Sequence, residues 1–144
     1  MSTKQTLRGF ATISYWADDM TAAKAWYSEL LGSAPYFERL GPDGQLAYAE
    51  FRIGDYQHEL GLINRRFAPT HATAGPGGAI MYWHVDDIEA TLTTLKAMGA
   101  EEYEPLVQRG EGFITASVTD PFGNVLGIMY NAHYLEMLNS KFQG

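Results

Sequence analysis

The stretch "AIMYWHVDDIEATLTTLKAMGA", residues 79–100, joins a strand-like run, two aspartates, a helical apolar repeat and a glycine. An earlier stretch, "FATISYWADDMTAAKAWYSELLG", residues 10–32, follows the same plan. In both helical parts the apolar residues recur at three- and four-residue spacing, which predicts a helix with one buried face. The chain therefore contains an internal repeat of a strand followed by a helix.

Each predicted helix has capping residues and is followed by a linker and two further strand candidates. The caps are Asp19 and Gly32 for the first helix, and Asp86 or Asp87 with Gly99 for the second. The strand candidates are "QLAYAEFRI" and "HELGLI" in the first half, and "GFITASV" and "NVLGIMY" in the second. We interpret the chain as one α+β domain of two tandem βαβββ modules. The predicted bounds are about 7–64 for module 1, 65–78 for a linker, 79–131 for module 2 and 132–142 for a C-terminal helix.

Composition narrows the possible functions. The 144 residues are 46% hydrophobic, which is enough for a domain with its own core. A net charge of −7 leaves no basic surface for nucleic acid or an anionic membrane. The absence of cysteine excludes disulfides and thiolate chemistry. No apolar run approaches membrane-spanning length, so we expect a soluble cytoplasmic protein.

Two motifs connect this repeat to a known group of proteins. "WYSELLG", residues 26–32, closes the first helix, and "DPFGN", residues 120–124, precedes the last strand. With the tandem βαβββ plan, they resemble the vicinal oxygen chelate superfamily of glyoxalases, bleomycin resistance proteins and extradiol dioxygenases. The resemblance implies a curved mixed sheet of eight strands around a concave, ligand-binding cleft, with helices on the convex side. It also implies a tendency to form homodimers.

Strand alternation separates a more apolar face, assigned to the helices, from a face that mixes aromatic, hydroxyl and ionisable groups. A mixed lining of this kind suits a small-molecule pocket, although a solvated sheet surface would also show it. Trp16 is expected on the mixed face, with Trp26 and Trp83 toward the helices. The predicted ligand-binding residues are Thr12, Ser14, Trp16, Tyr48, Glu50, Glu59, Gly61, Ile80, Tyr82, His84, Thr115, Gly127 and Met129.

The positions that would bind a metal ion carry unsuitable side chains. In metal-using members of the superfamily, the resemblance places the ligands in the first and last strands of each module, here at Thr12, Gly61, Ile80 and Gly127. Glycine and isoleucine have no coordinating atom, whereas a catalytic divalent site normally needs three N or O ligands. We therefore expect no metal cofactor. Gly127 is interpreted as leaving room for a bulky ligand, so that Gly127→Leu would weaken binding without unfolding the chain.

Two functional hypotheses follow. The first is metal-independent binding and sequestration of a small aromatic or planar molecule, as in bleomycin resistance proteins, with Glu50 and Glu59 able to meet a cationic group. The alternative is a lyase, isomerase or oxygenase with one divalent metal ion on a rearranged site of Glu50, Glu59 and His84. Without a metal, Glu50 would pair with Arg52 or another cation. The large apolar residues Tyr134, Leu135 and Met137 near the terminus favour a homodimer.

Overall fold

The computed structural model of the chain describes residues 5–72 and 75–142, the side chains of residues 141–142 excepted. The chain forms two compact units, residues 1–72 and 73–144. Each unit contains a four-stranded sheet of the same topology. The predicted α+β class, with two tandem βαβββ modules, is therefore confirmed.

The first unit contains one mixed sheet and one long helix. Its elements are β1 Thr12–Ala17, α1 Met20–Leu31, β2 Phe37–Leu40, β3 Leu46–Ile53, β4 His58–Asn64 and a 3₁₀ helix at Arg65–Phe67. The strand order is β1-β4-β3-β2, with β1 parallel to β4 and the other pairs antiparallel. Helix α1 packs on β3 and β4, and Tyr27 is fully buried in the resulting core with Phe51 and Leu62.

The second unit repeats this arrangement and adds a terminal helix. Its elements are β5 Tyr82–His84, α2 Ile88–Ala97, β6 Glu101–Gly110, β7 Phe113–Thr119, β8 Val125–Asn131 and α3 Ala132–Phe142. The strand order is β5-β8-β7-β6, again with only the first pair parallel. Helix α2 packs on β6, β7 and β8, and Leu95, Val118 and Leu126 are buried.

The predicted helix caps are present. Asp19 and Asp87 accept hydrogen bonds from the backbone N–H groups of Ala22 and Ala90, at 3.0 Å in both cases. Gly32 ends α1 with φ of 72°, and Gly99, one residue beyond the C-cap Met98 of α2, has φ of 96°. These positive φ angles favour glycine, which explains its position after each helix.

Three strands differ from the sequence interpretation. Strands β2 and β6 lie within the segments interpreted as linkers after each helix. Strand β5 is shorter than predicted and begins at Tyr82, so that Ile80 precedes it. The backbone still runs beside β8 there, because the carbonyl of Met81 accepts a hydrogen bond of 3.0 Å from the N–H of Gly127.

Candidate functional site

The predicted site residues fall into two groups, one on the sheet of each unit. In the first unit, the register aligns Ser14 with Gly61 and Gly61 with Glu50, across β1, β4 and β3. It aligns Trp16, Ile63 and Tyr48 in the next row. These rows lie on the face opposite the buried Ala49, Phe51, Leu60 and Leu62. The mixed face predicted from strand alternation therefore exists in this sheet.

The space above Gly61 is filled by a tyrosine of the same unit. A Cβ atom at Gly61 would lie 2.7 Å from the Tyr48 hydroxyl and 2.8 Å from Tyr48 Cε1. The Tyr48 hydroxyl donates a hydrogen bond to Glu50 Oε1. Its ring also contacts Phe37 edge-on, with 6.2 Å between the ring centroids. Glycine at this position therefore accommodates the Tyr48 ring.

Glu50 and Glu59 form a pair of neighbouring carboxyl groups next to this tyrosine. Burial raises the pKa of Glu50, and a hydrogen bond with Glu59 together with its negative charge raises that pKa further. Glu59 accepts hydrogen bonds of 3.2 Å from Thr12 Oγ1 and from Arg52 Nη1. Arg52 thus forms its salt bridge with Glu59, and the hydrogen-bond donor to Glu50 is Tyr48. The expected pairing of Glu50 with Arg52 is replaced by this network.

The second unit has a corresponding tyrosine over a glycine. The register aligns Tyr82 with Gly127, Gly127 with Ser117, and Ser117 with Glu104. A Cβ atom at Gly127 would lie 2.7 Å from Tyr82 Cδ1, 2.8 Å from the Met81 carbonyl oxygen and 3.0 Å from Ile80 Cγ2. The expectation of free room for a ligand at Gly127 is therefore wrong, because Tyr82, Met81 and Ile80 occupy that space.

Tyr82 is held by a partly buried network of hydroxyl groups and a carboxylate. The Tyr82 hydroxyl donates to Glu104 Oε1 at 2.6 Å, and the fully buried Ser117 donates to the same oxygen at 2.9 Å. These two donors, the Tyr82 hydroxyl first, lower the pKa of Glu104. The same hydrogen bond raises the pKa of Tyr82, with burial as the second cause. Glu104 is consequently an ionised acceptor at neutral pH.

Sequence reasoning missed two charged residues on this face, Glu104 and Arg109. Both belong to β6, whose register against β7 shifts at three points. Arg109 Nε donates a hydrogen bond of 3.1 Å to Oγ1 of Thr115, a predicted site residue. The alternation rule could not assign their faces, because each register shift interrupts the two-residue period.

His84 is enclosed by the second unit's own C-terminal segment. Its side chain is 6% exposed, and the ring stacks on Tyr134 of α3 with 4.7 Å between centroids. Its Nδ1 accepts a hydrogen bond of 3.2 Å from the backbone N–H of Asn131, so Nε2 bears the proton of the neutral ring. Met129, its register partner, contacts the Asn131 amide through sulfur at 3.5 Å. His84 therefore positions α3 through Tyr134.

The alternative hypothesis of a rearranged metal site on Glu50, Glu59 and His84 has no matching donor group among the described residues. Within residues 5–72 and 75–142, no three His, Asp or Glu side chains form a group that could hold a metal ion. Glu50 and Glu59 are engaged by Tyr48, Thr12 and Arg52. The expectation of a protein without a metal cofactor stays a prediction.

Residues 9–128 of the chain match the family model of the Glyoxalase/Bleomycin resistance protein/Dioxygenase superfamily. The chain belongs to this superfamily. The resemblance expected from the sequence repeat and the "DPFGN" motif is thus confirmed. The superfamily includes glyoxalases, dioxygenases and resistance proteins, so membership alone does not distinguish a binding protein from an enzyme.

Three solved structures with the same fold are distant from this chain in sequence. A glyoxalase-related enzyme from Fulvimarina pelagi is 20% identical, with a TM-score of 0.68 over 88% of this chain and 90% of that one. A lactoylglutathione lyase from Agrobacterium tumefaciens is 21% identical, with a TM-score of 0.59 over 84% and 92%. TioX from Micromonospora sp. ML1 is 15% identical, with a TM-score of 0.61 over 85% and 98%. At these identities the similarity establishes the fold alone.

One further comparison, and a search for membrane-spanning helices, found nothing. No curated protein sequence matches this chain significantly. Among the residues that the structure describes, no helix is both long and apolar enough to cross a membrane.

Proposed function

We propose that the chain binds and sequesters a small aromatic or planar molecule without using a metal ion. The observation that supports this most concerns two positions where metal-using members of the superfamily are expected to carry metal ligands. Here they are Gly61 and Gly127, and each is covered by a tyrosine of its own unit. Both tyrosine hydroxyls donate to glutamates, Tyr48 to Glu50 and Tyr82 to Glu104. A metal ion at either place would have to displace a ring and would find no side-chain donor atom on the glycine.

The faces around these tyrosines suit planar molecules. On the first sheet, Trp16 is half-buried and Phe37 is 41% exposed, so both rings have surface left for contact. Stacking of aromatic rings contributes about 0.5–1.5 kcal/mol per pair beyond the burial of area. The Glu50 and Glu59 carboxyls next to Tyr48 supply hydrogen-bond acceptors for polar substituents. Aromatic rings for stacking, together with carboxyl groups for hydrogen bonds, suit the reversible binding of a planar molecule.

The proposal includes a homodimer. Several large apolar side chains are exposed, namely Leu7, Phe10, Leu40 and Met137, with exposed fractions of 86%, 91%, 63% and 66%. Apolar surface of this kind is commonly covered by a partner subunit. Light scattering at micromolar concentration should give twice the mass of the chain, and a monomer mass would contradict this part of the proposal.

Tryptophan fluorescence after treatment with a chelator tests the binding function. A panel of neutral planar molecules, beginning with 1-naphthamide, is titrated into EDTA-treated protein. We expect the emission to change and the change to be largely absent in Trp16→Phe. The matched variant Trp83→Phe should keep it, because Trp83 lies on the opposite face of β5 from Tyr82. A response that disappears with the chelator and returns with a divalent ion would overturn the proposal.

A further inference from the structure

Arg109 lies where β6 joins the turn to β7, on the same face as the Tyr82 network. Its Nε donates to Oγ1 of Thr115, at 3.1 Å. Thr115 is 6% exposed, so this acceptor is fixed within the sheet, whereas the arginine itself is exposed. One edge of the guanidinium is thereby anchored to a buried hydroxyl, which reduces the number of orientations that the group can adopt.

The anchor leaves the two terminal nitrogens of Arg109 for other partners. A guanidinium has five N–H donors in one plane, of which the hydrogen bond to Thr115 uses the one at Nε. The Nη1 and Nη2 groups present parallel donors, the geometry that matches the two oxygens of a carboxylate or a phosphate. Since the Thr115 hydroxyl is neutral, the hydrogen bond to it does not compensate the positive charge of Arg109.

Arg109 also differs from most basic side chains of the described residues in its pairing. Lys24, Arg52, Arg65, Arg66 and Lys96 each form a salt bridge with a carboxylate, whereas Arg109 forms none with the carboxylates in the part of the chain that the structure describes. Glu104 is near enough for Arg109 to lower its pKa. However, Glu104 Oε1 accepts hydrogen bonds from Tyr82 and Ser117. The cation on this face is therefore oriented but not neutralised by a direct contact.

We infer that Arg109, oriented by Thr115, binds an anionic group, a carboxylate or a phosphate, of a planar molecule on the sheet of the second unit. This inference rests on the proposed function and adds the charge of the ligand to it. Arg109 contacts the ligand directly, and Thr115 is a positioning residue that acts through Arg109.

Matched ligands that differ only in charge test the inference. The probes are 1-naphthoate, 1-naphthyl phosphate and the neutral 1-naphthamide, each titrated into the full chain by calorimetry. Because hydrogen bonds to charged groups are stronger than neutral ones, we expect at least one anionic probe to bind about tenfold or more tightly than the amide. The two anions distinguish a carboxylate site from a phosphate site. The nitrogen-15 spectrum should show the Arg109 Nε–Hε signal shifting on addition of the anion.

Three variants complete the experiment. Arg109→Gln should remove the preference for the anion and leave the amide affinity unchanged. Thr115→Val, which keeps the shape of the side chain in a strand, should weaken the preference for the anion, because Arg109 loses its anchor. Arg8→Gln is the control, because it removes an exposed arginine that precedes β1 and is not among the predicted site residues, and it should keep the full preference.

The outcomes separate this inference from the proposed function. If the amide binds and neither anion binds more tightly, or if Arg109→Gln keeps the preference, the inference is wrong and the binding function stands. If none of the three probes binds at millimolar concentration, both are contradicted. If the preference for an anionic probe requires a divalent ion, the metal-independent function is contradicted. Arg109 is still the anion contact in that case if Arg109→Gln removes the preference.

Discussion

The ring of Tyr82 lies against Gly127 so closely that a Cβ atom at position 127 would be 2.7 Å from Tyr82 Cδ1. The equivalent glycine of the first unit, Gly61, is covered by Tyr48. The two tyrosines come from different strands, β5 and β3, yet both hydroxyls donate to a glutamate. Each sheet thus uses a glycine in its last strand to seat a tyrosine.

Substitution of Gly127 should destabilise the protein. In Gly127→Ala the new methyl group would be 2.8 Å from the Met81 carbonyl oxygen, and backbone cannot move aside without disturbing the β5–β8 pairing. Overpacking of this kind costs about 1–3 kcal/mol of unfolding free energy, to be measured by urea denaturation. Gly110→Ala is the matched control, because Gly110 is also in a strand and no atom lies within 4 Å of its Cβ position. Equal stability of the two variants would contradict the packing described for Tyr82.

Gly61→Ala should cost less than Gly127→Ala. The atoms that its methyl group would meet belong to the Tyr48 side chain, which can rotate away at the expense of its hydrogen bond to Glu50. A double-mutant cycle with Tyr48→Ala measures the contact directly. We expect the cost of Gly61→Ala to fall by about 0.5 kcal/mol or more when Tyr48 is absent, the usual range for residues in contact. Additive effects would mean that Tyr48 does not lie over Gly61.

Glu50 should make stability depend on pH above its ordinary pKa of 4.5. Its pKa is raised in the folded protein, chiefly by burial, so the folded state holds a proton that the unfolded state has released. The stabilising contribution is present below 4.5 and is lost as the pH rises through the folded pKa. Glu50→Gln should therefore flatten the decline of unfolding free energy over this range. A slope that is unchanged in Glu50→Gln would show that another group is responsible.

Glu104 should make the free energy of unfolding depend on pH in the opposite direction. Because its pKa is lowered below the ordinary 4.5, its contribution is present above that value and is lost as the pH falls through the folded pKa. Tyr82→Phe removes the principal hydrogen-bond donor and should raise the pKa of Glu104, as followed by carbon-13 NMR of its carboxyl group. Ser117→Ala should shift it in the same direction by a smaller amount. If Tyr82→Phe leaves the titration unchanged, the hydrogen bond to Tyr82 is not the cause.

Much of the fold could be predicted from the sequence, but the packing of the site could not. The repeat of strand, aspartates, helix and glycine placed both helices, because caps and apolar spacing are local signals. Strand β2, residues 37–40, was not predicted, because all its residues are exposed and its sequence shows no alternation of buried and exposed positions. Strand β6 was not predicted, because its register shifts interrupt the two-residue period. For the same reason Glu104 and Arg109, which belong to it, were not among the predicted site residues.

The two glycines show the same limit at the site. A glycine inside a strand indicates that something approaches closely. Whether that group is a ligand or a side chain of the same chain depends on strand pairing. Here Gly127 pairs with Tyr82, and Gly61 lies in the row of residues next to that of Tyr48. This strand pairing brings both tyrosine rings over the glycines, where they fill the space.

The metal content of protein purified without chelator tests the central claim, metal-independent binding, most directly. Elemental analysis of the wild type should find far less than one equivalent of any first-row transition metal per chain. Glu50→Gln should give the same result, because the Glu50 carboxyl is engaged by Tyr48 and by Glu59. Close to one Zn, Mn, Fe or Ni per chain in the wild type, lost in Glu50→Gln, would contradict the claim and support an enzyme with a metal at Glu50.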